Sequence, residues 1–267
     1  MPASVTGSAA GVTTARRWLG IFRLAIAVLE VVALIANYQY VLRFPLFASL
    51  NFFSYFTVQS AMLAVATLVV AAWFAWFRVR DPVWLGVFRT MATVYLLVSG
   101  VVFALIAVQA SSRDYRLEVP WSDTLLHFVV PVLALIAWTV DATMAVNPPV
   151  PWSTVGFVLL FPTVWLAYTL LRGAQIGWYP YFFLDESQVG GYGGVLAYCA
   201  IVLLIFVAIT AVLVAVHRRL ERRGVRRRVH RRRLAAEAAE ARDAAGRGAG
   251  AIPPTSPAEW LVGADRR

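Results

Sequence analysis

Hydroxyl, amide and imidazole side chains lie at the ends of long apolar segments in this chain. Asn51, Ser54 and Thr57 recur every three residues at the start of one apolar run, which predicts that they lie near one helical face. His127 opens another apolar run and is the only histidine before the basic stretch that begins at His217. A hydroxyl beside an imidazole is the usual pairing of a nucleophile with its general base. These residue types can therefore supply a nucleophile and its base.

Each of these side chains also has a purely structural interpretation. Ser and Thr in membrane helices commonly donate to backbone carbonyls, and a single histidine at a helix end often bonds a neighbouring helix. Asp123 lies one turn before His127 and either orients the ring or sits in the headgroup layer. No set of His, Cys and acidic residues has metal-ligand spacing, and no glycine-rich phosphate motif occurs. The sequence therefore predicts no metal and no cofactor.

Composition indicates an integral membrane protein. The chain of 267 residues is 60% hydrophobic and only 14% charged, and its mean hydropathy is +0.70, whereas soluble domains contain about 25% charged residues. All 24 basic residues are arginines. A retinal Schiff base needs a lysine, so the absence of lysine excludes a rhodopsin-like photochemical function.

Six apolar segments reach the roughly 20 residues that a helix needs to cross a bilayer. They run approximately over Trp18–Val41, Phe53–Phe77, Leu85–Gln109, Trp121–Val140, Val155–Leu171 and Val195–Val216. The predicted fold is all-α, a polytopic six-transmembrane-helix bundle with a disordered Arg-rich C-terminal tail. The predicted division is a disordered N-terminal tail (1–15), a transmembrane domain (16–217), and a basic, helix-prone and disordered cytoplasmic tail (218–267).

The distribution of arginines predicts the orientation of the bundle. An N-terminus in the cytoplasm places Arg16, Arg17, Arg78, Arg80 and the arginines after His217 on the cytoplasmic side, as the positive-inside rule favours. Both termini are then cytoplasmic. The same orientation brings three polar groups to one depth near the outer face, and we expect them to form one pocket: Asn51, Ser54 and Thr57; Asp123 and His127; and the loop with Tyr179 and Asp185.

The Arg-rich segment predicts a lipid partner. Each arginine near a membrane surface gains about 1 kcal/mol from anionic headgroups. Nucleic-acid binding would use the same charges, but no nucleic-acid-binding module surrounds them. We therefore expect contacts with membrane lipids, and with anionic headgroups in particular, and no nucleic acid.

Three short motifs occur in the helical region, between Trp18 and Val216. They are Phe52-Phe53-Ser54-Tyr55-Phe56, then Leu126-His127-Phe128-Val129-Val130-Pro131, then Gly177-Trp178-Tyr179-Pro180-Tyr181-Phe182-Phe183-Leu184-Asp185. In this order they resemble the androgen-induced (FAR-17a-like) family of six-helix membrane proteins and its bacterial relatives.

The resemblance implies an activity and a site. Animal members of the family hydrolyse fatty acid esters of hydroxy fatty acids with a threonine nucleophile and a histidine. Ser54 stands in the place of that threonine and His127 in the place of the histidine, which implies a catalytic Ser54–His127 pair. Two departures affect the inference: serine replaces threonine, which leaves Thr57 as a rival nucleophile, and Phe182 stands where bacterial relatives often have proline. The resemblance also implies a bacterial-type plasma membrane.

Other functional classes remain open at this point. Glu30 lies near the middle of the first apolar segment, where a carboxylate is costly. It indicates either an ion pathway in a small-solute or proton-coupled transporter or channel, or a structural pair with Arg23 or Arg89. A non-enzymatic structural membrane protein is a third possibility. If the hydrolase prediction is right, Ser54 Oγ should lie within reach of the His127 ring, with Thr57 farther away.

Overall fold

The computed structural model describes residues 4–44, 49–111 and 119–249, with side chains described over 13–44, 49–109 and 119–244. Within these ranges all regular secondary structure is helical. Six of the described helices are long and apolar enough to cross a membrane. The prediction of an all-α protein with six helices of membrane-spanning length and hydropathy is confirmed for the described residues.

The six long helices are labelled here in chain order. They are α1 (Ser4–Val41), α2 (Phe56–Phe77), α3 (Val83–Ser111), α4 (Trp121–Met144), α5 (Leu160–Ile176) and α6 (Tyr192–Ala249). Helix α4 contains a π-helical turn, Leu125–Val129, between two α-helical parts. Single helical turns lie at Ser49–Phe52, Thr154–Phe157 and Phe182–Leu184.

Helix ends follow the residues that cannot continue a helix. Helix α3 begins directly after Pro82, and Pro120 precedes α4 as its N-cap, because proline tolerates only the first turn of a helix. Helix α5 ends at Gly177, whose φ of 66° is left-handed. Glycine adopts that conformation without a steric penalty and commonly ends helices in this way.

The first and last helices extend into the terminal segments. Helix α1 begins at Ser4, in a segment whose alanines are good helix formers. Helix α6 continues through the arginines to Ala249. The disorder expected for the two tails stays a prediction. Residues 250–267 of the C-terminal tail lie outside the described residues. By their contacts the residues form two compact units, Met1–Arg222 and Arg223–Arg267.

Within the first unit, two kinds of side chain fill the interior of the bundle. Small residues line the contact between α1, α2 and α4, including Ala27, Ala64 and Ala134, and let these helices approach closely. Large aromatic residues fill a second core toward α5 and α6, including Phe56, Trp165 and Phe206. The cavity described below is lined by this aromatic core.

The outward faces of the long helices are apolar. Val28, Leu105, Leu204 and Val212 expose between 53% and 67% of their surface. Such a continuous apolar exterior is unfavourable in water and suits a bilayer. The exposed residues support the conclusion from composition that this is an integral membrane protein.

Candidate functional site

A cavity of about 320 Å³ lies where α1 and α3 approach their C-terminal ends and α2 and α4 begin. Most of its wall is aromatic or aliphatic. Its polar wall residues include Asn37, Tyr40, Tyr55, Thr57, Ser99, Asp123, His127, Thr163 and Tyr181. An apolar cavity of this size with a few convergent polar groups has the general character of a ligand site.

Four polar side chains form a connected series along the cavity wall. Nδ1 of His127 lies 3.2 Å from Oγ of Ser99, and Ser99 Oγ lies 2.9 Å from Oγ1 of Thr57. Thr57 Oγ1 in turn lies 3.4 Å from the hydroxyl of Tyr181. An imidazole can therefore draw a proton from the Thr57 hydroxyl through the hydroxyl of Ser99, which is the arrangement that activates a hydroxyl nucleophile.

The position of His127 is set by the π-helical turn and by α3. His127 is the central residue of Leu125–Val129, and π-turns of this kind occur frequently at functional sites. Its ring stacks on Phe103, with centroids 4.1 Å apart and planes at 10°. Gly100 permits the close approach of α3, since a Cβ there would overlap the carbonyl oxygen of His127.

Tyr181 connects the loop after α5 to this series. Its ring packs edge-on against Tyr55, with centroids 5.6 Å apart, and face-to-face on Phe183. Burial raises the pKa of Tyr181 to about 12, although the hydrogen bond with Thr57 acts in the opposite direction. The Tyr181 hydroxyl is therefore neutral at physiological pH and retains a proton to donate.

Ser54 lies in a different environment from the one expected. The segment Phe53–Tyr55 is a turn between a short helix and α2, and Tyr55 is extended, with ψ of 136°. The expectation that Asn51, Ser54 and Thr57 share one continuous helical face is therefore wrong. Ser54 Oγ donates to the carbonyl oxygen of Leu50 at 2.9 Å.

The polar wall of the cavity includes Thr57 and not Ser54. The backbone carbonyl of Ser54 accepts a hydrogen bond from the indole of Trp165 at 3.0 Å. In this structure His127 is bonded to Ser99, and through it to Thr57. The role of Ser54 as nucleophile stays a prediction of the resemblance.

The remaining predicted site residues divide between the cavity and its surroundings. Asp123 lies in the wall and accepts a hydrogen bond from Asn37. Asn51 lies outside the wall and accepts a hydrogen bond of 2.7 Å from Arg172, and Tyr179 packs against Gly173 of α5. Asp185 closes a local turn in which Ser187 and Gln188 donate to it.

The hydrogen bonds that Ser187 and Gln188 donate to Asp185 hold the pKa of that carboxyl below its usual value. The carboxylate of Asp185 therefore orders the loop after α5. It has no hydrogen bond to His127 among the described contacts, so the predicted pocket contains only part of the three polar groups.

A second cluster of polar side chains, which sequence reasoning missed, lies at the end of the bundle opposite the cavity. We call it the ion cluster; all its members are buried, and they are Arg16, Arg23, Asp81, Arg89, Asp141 and Asn147. Arg16 bonds Asp81 at 2.6 Å, and Arg23 bonds Asp141 at 2.9 Å. Arg89 bridges both carboxylates.

The amide of Asn147 completes the ion cluster. Its Nδ2 donates to Asp81 at 3.1 Å and to Asp141 at 3.1 Å, and its Oδ1 accepts from Arg16 at 3.1 Å. Buried charges are tolerated when they are paired and hydrogen-bonded in this way. The ion cluster therefore ties α1, α3 and α4 to the two loops that contain Asp81 and Asn147.

The structure corrects the structural interpretation of Glu30. That interpretation paired Glu30 with Arg23 or Arg89, but both arginines bond carboxylates of the ion cluster instead. The side chain of Glu30 is fully buried, and neither of its carboxyl oxygens has a hydrogen-bond partner. The pairing fails because Asp141 on α4 and Asp81 after α2 lie closer to the two guanidinium groups.

A regular spacing in α1 is the signal that sequence reasoning overlooked. Polar residues recur every seventh position on this helix and share one face: Arg16, Arg23, Glu30 and Asn37. Seven residues complete nearly two helical turns, which is about 10.5 Å of rise. The spacing predicts a polar stripe from one end of the bundle to the other, and three of its four members bond carboxylates.

No protein-family model, curated protein or solved structure matches this chain. The resemblance described above therefore depends on the three short motifs, and the chemistry of the site on its own geometry.

Proposed function

We propose that this chain is a membrane-embedded hydrolase of lipid esters, with His127 as the general base and Thr57 as the nucleophile. The observation that supports it most is the hydrogen-bonded series from Thr57 through Ser99 to His127 in the wall of an apolar cavity. Thr57 is favoured over Ser99 because its side chain is half-buried, whereas Ser99 is only 5% exposed. Ser99 is then a positioning residue that passes the proton.

The first half of the reaction forms an acyl-enzyme. Thr57 Oγ1 attacks the ester carbonyl carbon while its proton moves to Ser99 and the Ser99 proton moves to Nδ1 of His127. The bond between the carbonyl carbon and the alkoxy oxygen then breaks, and the leaving alcohol takes the proton from His127. Tyr181, 3.4 Å from Thr57 Oγ1, has a hydroxyl proton to donate to the oxyanion.

The second half of the reaction returns the site to its starting state. Water attacks the acyl carbon on Thr57 and gives its proton to His127 through Ser99. The bond from the acyl carbon to Thr57 Oγ1 breaks, and the threonine oxygen recovers the proton. The products are one carboxylic acid and one alcohol, and no other reactant is consumed.

The cavity wall indicates the class of substrate. Thr163 of α5 and Leu203 of α6 belong to the wall and are also exposed on the outer face of the bundle. A long acyl chain in the bilayer can therefore enter between these two helices without crossing water. We infer that substrates resemble fatty acid esters of hydroxy fatty acids, whose ester group lies between two apolar chains.

The same proposal includes a location and a lipid partner. In a bacterial-type plasma membrane with both termini in the cytoplasm, the cavity opens in the outer leaflet. The arginines of α6 that follow His217 include Arg219, Arg222 and Arg223, whose side chains are exposed. They supply positive charge for anionic headgroups in the cytoplasmic leaflet.

Labelling with a lipophilic fluorophosphonate tests the proposal, because this probe reacts with activated hydroxyl groups. We expect the purified, reconstituted protein to be labelled at Thr57, and Thr57→Ala and His127→Ala to lose labelling. Removal of a general base slows such reactions by about 10²–10⁴-fold. The matched control Thr57→Ser keeps the hydroxyl and should keep the labelling, and so should Ser54→Ala.

Two outcomes would change the assignment. A folded, membrane-inserted parent that is neither labelled nor able to hydrolyse lipid esters would refute the hydrolase. Labelling that is lost in Ser54→Ala and retained in Thr57→Ala would move the nucleophile to Ser54, as the family resemblance implies.

A further inference from the structure

Glu30 is a buried acid with no function in the proposed hydrolysis. It lies on the polar stripe of α1, two helical turns from Arg23 on one side and two turns from Asn37 on the other. Its side chain is 0% exposed, and neither carboxyl oxygen has a hydrogen-bond partner. An ionised carboxylate in such a place is very unfavourable, whereas a neutral carboxyl group is tolerated.

Among the described residues, no positively charged side chain bonds Glu30. Helices α2 and α4 pack against α1, and α2 contains no charged residue. Besides Glu30, the charged and histidine side chains described on the membrane-spanning parts of α1, α3 and α4 bond another group, except Arg17, which is exposed near the start of α1, 13 positions before Glu30. Those that bond another group are Arg16, Arg23, Arg89, Asp123, His127 and Asp141. A proton is therefore the one partner that neutralises Glu30 without rearranging these bonds.

The surroundings of Glu30 differ on its two sides. Toward the cavity, α1 continues from Glu30 through Ala33 to Asn37 of the cavity wall. Ala33 packs in one apolar layer with Ala61 and Leu126, and Leu126 itself belongs to the wall. Toward the other end lies the ion cluster, in which three guanidinium groups face two carboxylates. Its surplus positive charge repels a proton that approaches from that end.

We propose that Glu30 is a proton-binding site, protonated in the resting protein, which exchanges its proton with the cavity across the layer formed by Ala33, Ala61 and Leu126. This inference does not depend on ester hydrolysis, because Glu30 lies outside the hydroxyl–imidazole series. It gives the bundle a buried group that can take up and release a proton when the layer opens.

Infrared difference spectroscopy of the full chain in lipid bilayers tests the protonation. The C=O stretch of a protonated carboxyl group is separate from that of a carboxylate, so a protonated Glu30 gives its own band at neutral pH. We expect this band in the parent and its complete loss in Glu30→Gln. The matched control Glu237→Gln changes an exposed glutamate of α6 and should leave the band unchanged.

A second variant shows whether loss of the band in Glu30→Gln reflects loss of the carboxyl group or misfolding. Glu30→Asp keeps a carboxyl group, and we expect the band to shift in frequency and to remain. If the band is neither lost in Glu30→Gln nor shifted in Glu30→Asp, Glu30 holds no proton and the proposal is wrong.

Transfer into D₂O tests the route by which Glu30 exchanges its proton, because the C=O band of its carboxyl group shifts when the proton is replaced by a deuteron. We expect Leu126→Ala to shorten the half-time of this exchange. The matched control Leu68→Ala truncates a buried leucine of α2 that packs near Ala27, on the ion-cluster side of Glu30, and should leave the half-time unchanged. Faster exchange in Leu68→Ala with no change in Leu126→Ala would overturn the route through the cavity.

Discussion

Substitution of Asp141 by asparagine gives a direct test of the energetics of the ion cluster. Asp141 accepts hydrogen bonds of 2.9 Å from both Arg23 and Arg89 and one of 3.1 Å from Asn147. Asparagine has nearly the same volume, so Asp141→Asn removes a charge without opening a cavity. In the parent three guanidinium groups face two carboxylates, and in the variant they face one.

The expected loss of stability is large because every member of the ion cluster is buried. Removing one partner of a buried ion pair costs about 3–5 kcal/mol, since the remaining charge is left uncompensated. In a domain of this size 1 kcal/mol corresponds to roughly 2–4 °C of melting temperature, so we expect Asp141→Asn to melt about 6–20 °C below the parent.

Two matched variants separate charge balance from the mere loss of hydrogen bonds. Arg89→Met removes a guanidinium group and leaves Arg16 with Asp81 and Arg23 with Asp141, so that charges are balanced one to one. We expect it to lose less stability than Asp141→Asn. Asp185→Asn changes a half-buried carboxylate of the loop after α5, outside the ion cluster, and should shift the melting temperature by less than about 2 °C.

The measurement is thermal unfolding of the purified proteins in one detergent, followed by circular dichroism. A melting temperature of Asp141→Asn within about 2 °C of the parent would refute the reasoning, because the surplus charge would then be without energetic effect. A larger loss in Arg89→Met than in Asp141→Asn would show that hydrogen-bond number, and not charge balance, dominates the ion cluster.

Further outcomes follow from the same structure. Gly100→Ala should drive α3 away from the carbonyl of His127 and abolish fluorophosphonate labelling, whereas Gly193→Ala, with open space around its Cβ position, should not. The pKa of Asp185 lies below its usual value, so the stability that its carboxylate gives the loop after α5 is present at neutral pH and is lost as the pH falls through the folded-state pKa. Acid should therefore speed amide hydrogen exchange in this loop more in the parent than in Asp185→Asn. Changing Arg222 and Arg223 to glutamine should reduce the anionic lipid that copurifies with the protein, as seen by native mass spectrometry, because each arginine near the surface contributes about 1 kcal/mol.

The helices are the part of the structure that sequence predicts best. Apolar length alone indicates a membrane span, and the structure has a long helix at each of the six expected places. Hydropathy predicts that α2 starts near Phe53, whereas the helix starts at Phe56, because hydropathy does not distinguish an aromatic turn from an aromatic helix. That difference of three residues is what turns Ser54 away from the face of Thr57.

The polar contacts were predictable only in part. His127 was identified as a site residue because it is a solitary histidine in an apolar setting, and it does lie in the cavity wall. Ser99 was missed, since one serine in a long apolar helix looks like a backbone-bonded residue until the neighbouring helix is known. The ion cluster was missed because Arg16 and Asn147 are 131 positions apart, and pairing at that separation depends on tertiary packing.

The composition of the ion cluster has a consequence for how the protein is made. Its members span Arg16 to Asn147, so the ion cluster can be completed as soon as the first four membrane-spanning helices and the loop after them have left the ribosome. The cavity, in contrast, needs Trp165, Tyr181 and Phe206 from segments that are synthesised later. Since chains fold from the N-terminus during synthesis, we expect a four-helix intermediate stabilised by the ion pairs of this cluster to form first, and α5 and α6 to pack against it afterwards.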